Sequence, residues 1–291
     1  MKRYTIKNFF KDFPDDTICL KWLRESRWPD GIRCVGCEKI TSHYLVLSRK
    51  SYSCQHCGRQ VYPTAGTIFH KSSTSLTTWF YVMYLMAQTR GGISAKQIER
   101  ETGVTYKTAW RMCRLVREVL AEGSDPLSGT VEVDETFHGG LDKNRHFSKR
   151  SHITGGSGKQ AILGMLQREG RIIAMPIHDT TRDTLHTAIY TNIEQDSSVV
   201  TDAWGGYNGL EGYRHSRINH WRKEYVRGAI HTNSIEGFWG NMKRGISGVY
   251  HNVSRKYLQG YVNEYCFRFN HRHDETPMFH SFLSRVVAPL S

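Results

Sequence analysis

Two Cys-x-x-Cys pairs, Cys34 with Cys37 and Cys54 with Cys57, lie 16 residues apart near the start of the chain. No other feature constrains the local fold as tightly. Each short turn presents two thiolates, and four thiolates complete a closed tetrahedral zinc site with no position left for substrate. The spacing predicts a small zinc ribbon within residues 1–70, holding one structural Zn2+. Gly36 and Gly58 supply the backbone freedom that such turns need. A redox dithiol needs only one Cys-x-x-Cys beside a βαβ pattern, and that pattern is missing here. The seven cysteines are odd in number and partly clustered, which argues against a disulfide framework. Cys19, Cys113 and Cys266 sit in apolar or helical surroundings and read as ordinary buried thiols.

The 291 residues carry a formal net charge of +13, and the sequence pI is about 9.5. So large an excess points to a polyanionic partner. A membrane is the competing surface, but no apolar run approaches the roughly 18 residues of a span. The longest, Trp79 to Ala87, reads as a buried helix. Met1-Lys2-Arg3 is not followed by an apolar signal core, so a reducing cytoplasm is the expected compartment.

Residues 71–122 are helical in pattern. Ser94 begins one helix, Thr102-Gly103-Val104 makes a tight turn, and Thr105 caps a second helix from Tyr106 to about Leu120. This is a helix-turn-helix pattern. Its second helix would offer Tyr106, Lys107, Thr108 and Arg111 to a DNA major groove. A plain helical hairpin packed inside the protein is the alternative.

Beyond a turn-rich linker at 122–129, apolar runs of strand length fall at 130–137, 161–167, 171–177 and 197–201, with helical spacing at 181–190, 231–248 and 254–272. Strands mixed with helices predict an α/β domain over 130–291. A basic stretch at 139–160 contains Lys143, Arg145, Lys149 and Arg150 among several glycines. It reads either as a solvated loop or as a phosphate-gripping arm. Asp134 ends the run Val131-Glu-Val-Asp134, and Asp202 ends Val199-Val-Thr-Asp202. Period two places Glu132 and Asp134 on one face of their strand. Glu236 and Lys243 are seven residues apart on a predicted helix, about two turns, and so share a side. Three converging carboxylates suit hard divalent cations, and two such ions can clamp a scissile phosphate.

The order Asp134, Asp202, Glu236, with 33 residues between the last two and a lysine seven further on, resembles the DDE transposases and retroviral-type integrases. With the four-cysteine ribbon, the helical segment and His231-Thr-Asn-Ser-Ile-Glu-Gly-Phe-Trp-Gly-Asn-Met-Lys243, the chain resembles zinc-ribbon transposases of bacterial insertion sequences over nearly its whole length. The resemblance implies a ribonuclease-H-like mixed sheet with flanking helices. It also implies two Mg2+ or Mn2+ ions held by Asp134, Asp202 and Glu236, and cleavage and strand transfer of double-stranded DNA by a homo-oligomer. Lys243 and Arg244 would position phosphate. Relatives of this kind can use asparagine as the third ligand, which makes Asn233 the alternative. Lys243 is roughly 20° around the helix from Glu236 but roughly 80° from Asn233, which favours Glu236. Two other readings compete: a DNA-binding regulator without catalysis, and a ribonuclease-H-like nuclease that cuts without joining.

Overall fold

The computed structural model describes residues 4–123, 125–140, 159–218 and 231–287. The chain forms two compact units, one running to Leu120 and taking up the chain again from His273, the other Ala121–Arg272. The first begins with α1 (Ile6–Asp12) and α2 (Asp16–Arg27), each started by a side-chain cap, Thr5 on the Asn8 amide and Asp15 on the Ile18 amide. The ribbon follows as the antiparallel sheet β1 (His43–Val46), β2 (Ser51–Cys54) and β3 (Gln60–Val61). Next comes α3 (Leu76–Gln88), with Trp79, Phe80, Val82, Met83 and Met86 fully enclosed. A helix apolar on most sides belongs at the centre of its unit. Against it stand α4 (Ala95–Thr102) and α5 (Tyr106–Val119). Gly103, in the left-handed region at φ 71°, ends α4 and makes the sharp turn between them.

The second unit is built on a five-stranded sheet. Its strands are β4 (Thr130–His138), β5 (Gln160–Gln167), β6 (Ile172–Ile177), β7 (Ser198–Asp202) and β8 (Arg214–Ile218), in the order β6-β5-β4-β7-β8. The β4, β5 and β6 neighbours are antiparallel, while β4, β7 and β8 run parallel. This is the mixed sheet of a ribonuclease-H-like fold. Helix α6 (Arg182–Asn192) covers one face, burying Leu185 and Ile189 with Val131, Val133, Leu163, Met165 and Val199. Helices α7 (Asn233–Gly245) and α8 (Leu258–Asn270) cover the other with Ile235, Phe238, Trp239, Leu258 and Val262. Alternation along β5 sends Ile162 and Leu166 to the α7 side and Leu163 and Met165 to the α6 side, so the strand reads as a continuous apolar run.

The expected catalytic segment 130–291 differs at its end. Helix α9 (Met278–Val286) packs on α3 and α5 in the first unit. Its Phe279 stacks on Tyr4 at 5.2 Å between ring centres and meets Phe9 and Phe13 edge-on, which buries the apolar face of α9 within the first unit. Strand β8 also lies outside the predicted elements. Its sequence, Arg-His-Ser-Arg-Ile, is polar because it forms the sheet edge.

Candidate active site

The parallel pairing of β4 and β7 matches Thr130 with Ser198, Val131 with Val199 and Glu132 with Val200, a constant offset of 68. Continuing that register two residues brings Asp202, the last residue of β7, level with Asp134, midway along β4 rather than at its end, with both on the α7 face. Both side chains are half-buried. Burial, then the Asp202 charge, raise the Asp134 carboxyl to about 6; the Glu236 charge adds to this, while the Glu135 amide and the Trp239 indole favour the ionised form. Asp134 therefore lies within electrostatic reach of both other acids. Asp202 accepts a hydrogen bond from the Trp204 amide at 2.9 Å. Glu236 lies in the first turn of α7 and accepts from the Thr232 hydroxyl at 2.8 Å.

Helix α7 is seated by two devices that the sequence reading does not assign. Thr232 occupies the cap position but makes no capping bond. Glu132, fully buried on β4, does so instead, accepting from the amides of Ser234 and Ile235 at 3.0 Å each. Arg168 donates to the same carboxylate at 2.9 Å. The second device is a notch. Gly164 on β5 lies opposite Asp134, and the Trp239 ring fills the space where a side chain would stand. Phe238 and Trp239 are core residues, only 3% exposed.

Glu135 is a further unassigned acid. It points to the α6 face, at a place where alternation would put an apolar residue. That break in pattern is its sequence signal. Burial drives its carboxyl up to about 7; the Tyr207 hydroxyl pulls the other way, and Asp202 and Asp134 push it higher. Tyr207 is fully enclosed.

Lys243 is exposed on α7 and lines a cavity of about 440 Å³ together with Thr136, His138, Ser247 and Asn252. Thr136 and His138 continue the Asp134 face of β4, so the lysine lies further along the same side. Asn233 and Arg244 are exposed, and Arg244 donates to Asn241. In the first unit, Tyr106, Lys107 and Arg111 are exposed at the start of α5, whereas Thr108 is half-buried against the Thr105 hydroxyl at 3.0 Å. The predicted arm residues Lys143, Arg145, Lys149 and Arg150 lie outside the described residues.

The cysteines fit zinc. Their four sulfurs lie within 4.8 Å of one another. The Cys34–Cys57 and Cys37–Cys54 separations are 3.5 and 3.9 Å. Tetrahedral zinc–sulfur bonds of about 2.3 Å require sulfurs roughly 3.8 Å apart. The Thr41 hydroxyl, 3.2 Å away, leads the contacts that lower Cys54 to about 5, favouring the thiolate. Gly36 is needed for close approach, because a Cβ there would meet the Cys57 sulfur at 3.2 Å; Gly58 is needed for its φ of 70°.

Among the described residues no other group of acids, histidines or cysteines closes to that distance. The carboxylates of Asp134, Asp202 and Glu236 are more widely set. A wider setting suits a pair of ions, which sit about 3.5–4 Å apart and spread their ligands accordingly. The donors are all oxygen, and none of the groups that shift Asp134 is a basic side chain. Clustered negative charge of this kind is what a hard cation neutralises.

The sequence pattern of the ISXO2-like transposase domain matches residues 126–270. That of the transposase zinc-ribbon domain matches residues 14–60. The chain belongs to the ISXO2-like transposases. It is also 26% identical over 275 residues to the uncharacterized protein in transposable element ISH50 of Halobacterium salinarum, covering 89% of this chain and 92% of the relative. The family assignment accounts for the ribbon and the mixed sheet together. As for the membrane, no helix among the described residues is long and apolar enough to cross one.

Proposed function

We propose that this transposase cuts double-stranded DNA at the ends of its element and joins the freed strands to target DNA, using two Mg2+ or Mn2+ ions. The observation that carries this reading is the level placement of Asp134 and Asp202 on adjacent parallel strands, with Glu236 within electrostatic reach. In this reading Asp134, Asp202 and Glu236 hold the ions, and Asn233, at the first position of α7, does not. When bound, the ions stabilise charge on the phosphate and raise the nucleophilicity of the attacking oxygen. Lys243 holds the flanking phosphate as a point charge. Water attacks the phosphorus at the element end, the P–O bond to the 3′ oxygen breaks, and the 3′-OH leaves. That hydroxyl then attacks a target phosphodiester in the same geometry: its oxygen bonds to the phosphorus, the P–O bond to the target's 3′ oxygen breaks, and the proton lost by the attacking hydroxyl is balanced by one taken up by the leaving 3′ oxygen, with no covalent enzyme intermediate.

The exposed residues Tyr106, Lys107 and Arg111 at the start of α5, with Thr108 beside them, supply the end-binding surface, and the basic stretch 139–160 grips phosphates. One acidic site per chain and two element ends per reaction call for more than one copy on the DNA. The work is done in the cytoplasm at the nucleoid. The test is a metal-dependent cleavage and strand-transfer assay beside an end-binding assay. Asp134→Asn, Asp202→Asn and Glu236→Gln should bind ends but neither cut nor join, while Asn233→Ala should retain most activity. Full activity in both aspartate variants would remove the proposed chemistry. Cutting without joining by the wild type would leave a nuclease.

A further inference from the structure

We propose that Glu132 and Thr232 are positioning residues that set Glu236 against Asp134, and so fix how tightly the acidic site holds its divalent cations. The inference rests on the metal-site reading above and extends it to two residues outside the ligand set. Glu132 and Asp134 share one face of β4, two residues and about 6.6 Å apart along the strand. Glu132 is fully buried and accepts from the Ser234 amide, the Ile235 amide and, at 3.1 Å, the Ser234 hydroxyl. These amides belong to the second and third residues of α7, to which the helix itself offers no partner. A carboxylate here also complements the positive end of the helix. Arg168 ties the anchor further, donating to Glu132 and, at 2.8 Å, to the His231 carbonyl just before the helix. The start of α7 is thus fixed to the strand that carries Asp134.

The usual cap would be Thr232. Because Glu132 accepts from the amides, the Thr232 side chain is not held at the cap, and its hydroxyl donates to Glu236 Oε1 at 2.8 Å. Thr232 is itself buried, at 2% exposure, while the Glu236 side chain it holds is exposed, so the bond ties an outward-facing carboxylate to a fixed donor. Glu236 is held at its backbone by a helix pinned from β4, and at its carboxylate by Thr232. A ligand so held loses little freedom when it takes up a cation. Partners that orient metal ligands in this way typically change affinity or activity by roughly 10–100-fold when removed.

The test uses the full-length, zinc-loaded protein and Mn2+ as probe. Free Mn2+ is followed by its electron paramagnetic resonance signal, and amide hydrogen exchange is followed at Ser234 and Ile235. Thr232→Val removes the hydroxyl and keeps the shape. It should weaken Mn2+ binding at least about 10-fold and raise the Mn2+ concentration needed for half-maximal cleavage, with the melting temperature little changed. Thr232→Ser should restore wild-type binding. Glu132→Gln should weaken Mn2+ binding too, and speed exchange of the two amides. If Glu132→Gln does not fold, the threonine pair decides. Asp134→Asn serves as the reference. If it loses Mn2+ while Thr232→Val binds as wild type does, the positioning role is wrong and the metal site stands. If Asp134→Asn also keeps wild-type binding, the metal-site reading fails and takes this inference with it.

Discussion

Replacing Gly164 by alanine probes whether α7 is seated by the notch beside Asp134. A Cβ at this position would lie 2.5 and 2.9 Å from two atoms of the Trp239 ring and 3.1 Å from Ile235 Cδ1. Ordinary carbon contacts start near 3.5 Å, so the indole must retreat by about 1 Å. It cannot do so alone. Trp239 and Ile235 both project from α7 into the core shared with Phe238, Leu258 and Val262. The helix must therefore move or the side chains must leave their rotamers. Overpacking of this kind costs about 1–3 kcal/mol. For a unit of this size that is a fall of roughly 2–12 °C in melting temperature. The effect on catalysis should be larger in proportion, because Glu236 lies one turn before Trp239 on the same helix. A displacement near 1 Å in a reacting constellation costs on the order of 100-fold. The assay is thermal unfolding of the whole protein with strand cleavage measured beside it. Trp239→Phe in the Gly164→Ala background should relieve the clash and recover part of both losses, a coupling above about 0.5 kcal/mol. Wild-type stability and cleavage in Gly164→Ala would refute the notch argument.

Three other outcomes are expected. Asp134 and Glu135 release protons at about 6 and 7, against 3.8 and 4.5 for unperturbed groups. Between those values the folded, Mg2+-free chain binds more protons than the unfolded chain, so its stability should fall as pH rises from about 4 to 7; Mg2+ should offset the loss, as melting curves with and without it will show. Cys54→Ser, or a strong chelator, should release zinc and unfold residues 30–60, read by metal analysis and limited proteolysis; a zinc-free protein still ordered there would contradict the closed-site argument. Lys107→Ala and Arg111→Ala should each weaken end binding and reduce the salt dependence by about one phosphate contact, measured by fluorescence anisotropy across a salt series. Wild-type affinity in both variants would make the helix pair merely structural.

The parts of this molecule that were legible in the sequence are those set by local chemistry. The Cys34, Cys37, Cys54 and Cys57 spacing states a tetrahedral ligand set without reference to any distant residue, and the sulfurs lie accordingly. Ser94, Gly103 and Thr105 are local signals too, and the two helices start and stop on them. The apolar runs of β5 and β6 were legible because a strand covered on both faces has few polar positions, and β4 was legible from the alternation of Val131 and Val133 with acids. Helix α9 was not, because its partners Tyr4, Phe9 and Phe13 lie more than 260 residues away in the chain, and apolar spacing does not say which surface it will meet. Strand β8 was hidden by its edge position, where Arg214 and Arg217 can face water.

The acidic site divides along the same line. Asp134 and Asp202 were visible as charges ending apolar runs, yet nothing local makes them neighbours. Their proximity follows from a parallel register whose offset, 68, equals their separation in the chain. A slip of one residue would turn one of the two side chains to the opposite face. Glu132 shows the converse. Alternation placed it beside Asp134 on the correct face, but its bonds to Ser234 and Ile235 cross 102 and 103 residues of chain. A buried carboxyl would be costly without those donors; with them it fixes α7 to β4. The acid that is most hidden from solvent therefore acts on the geometry of the acids that are not. That is why one strand, Thr130 to His138, carries a proposed ligand and the anchor for the helix that bears another.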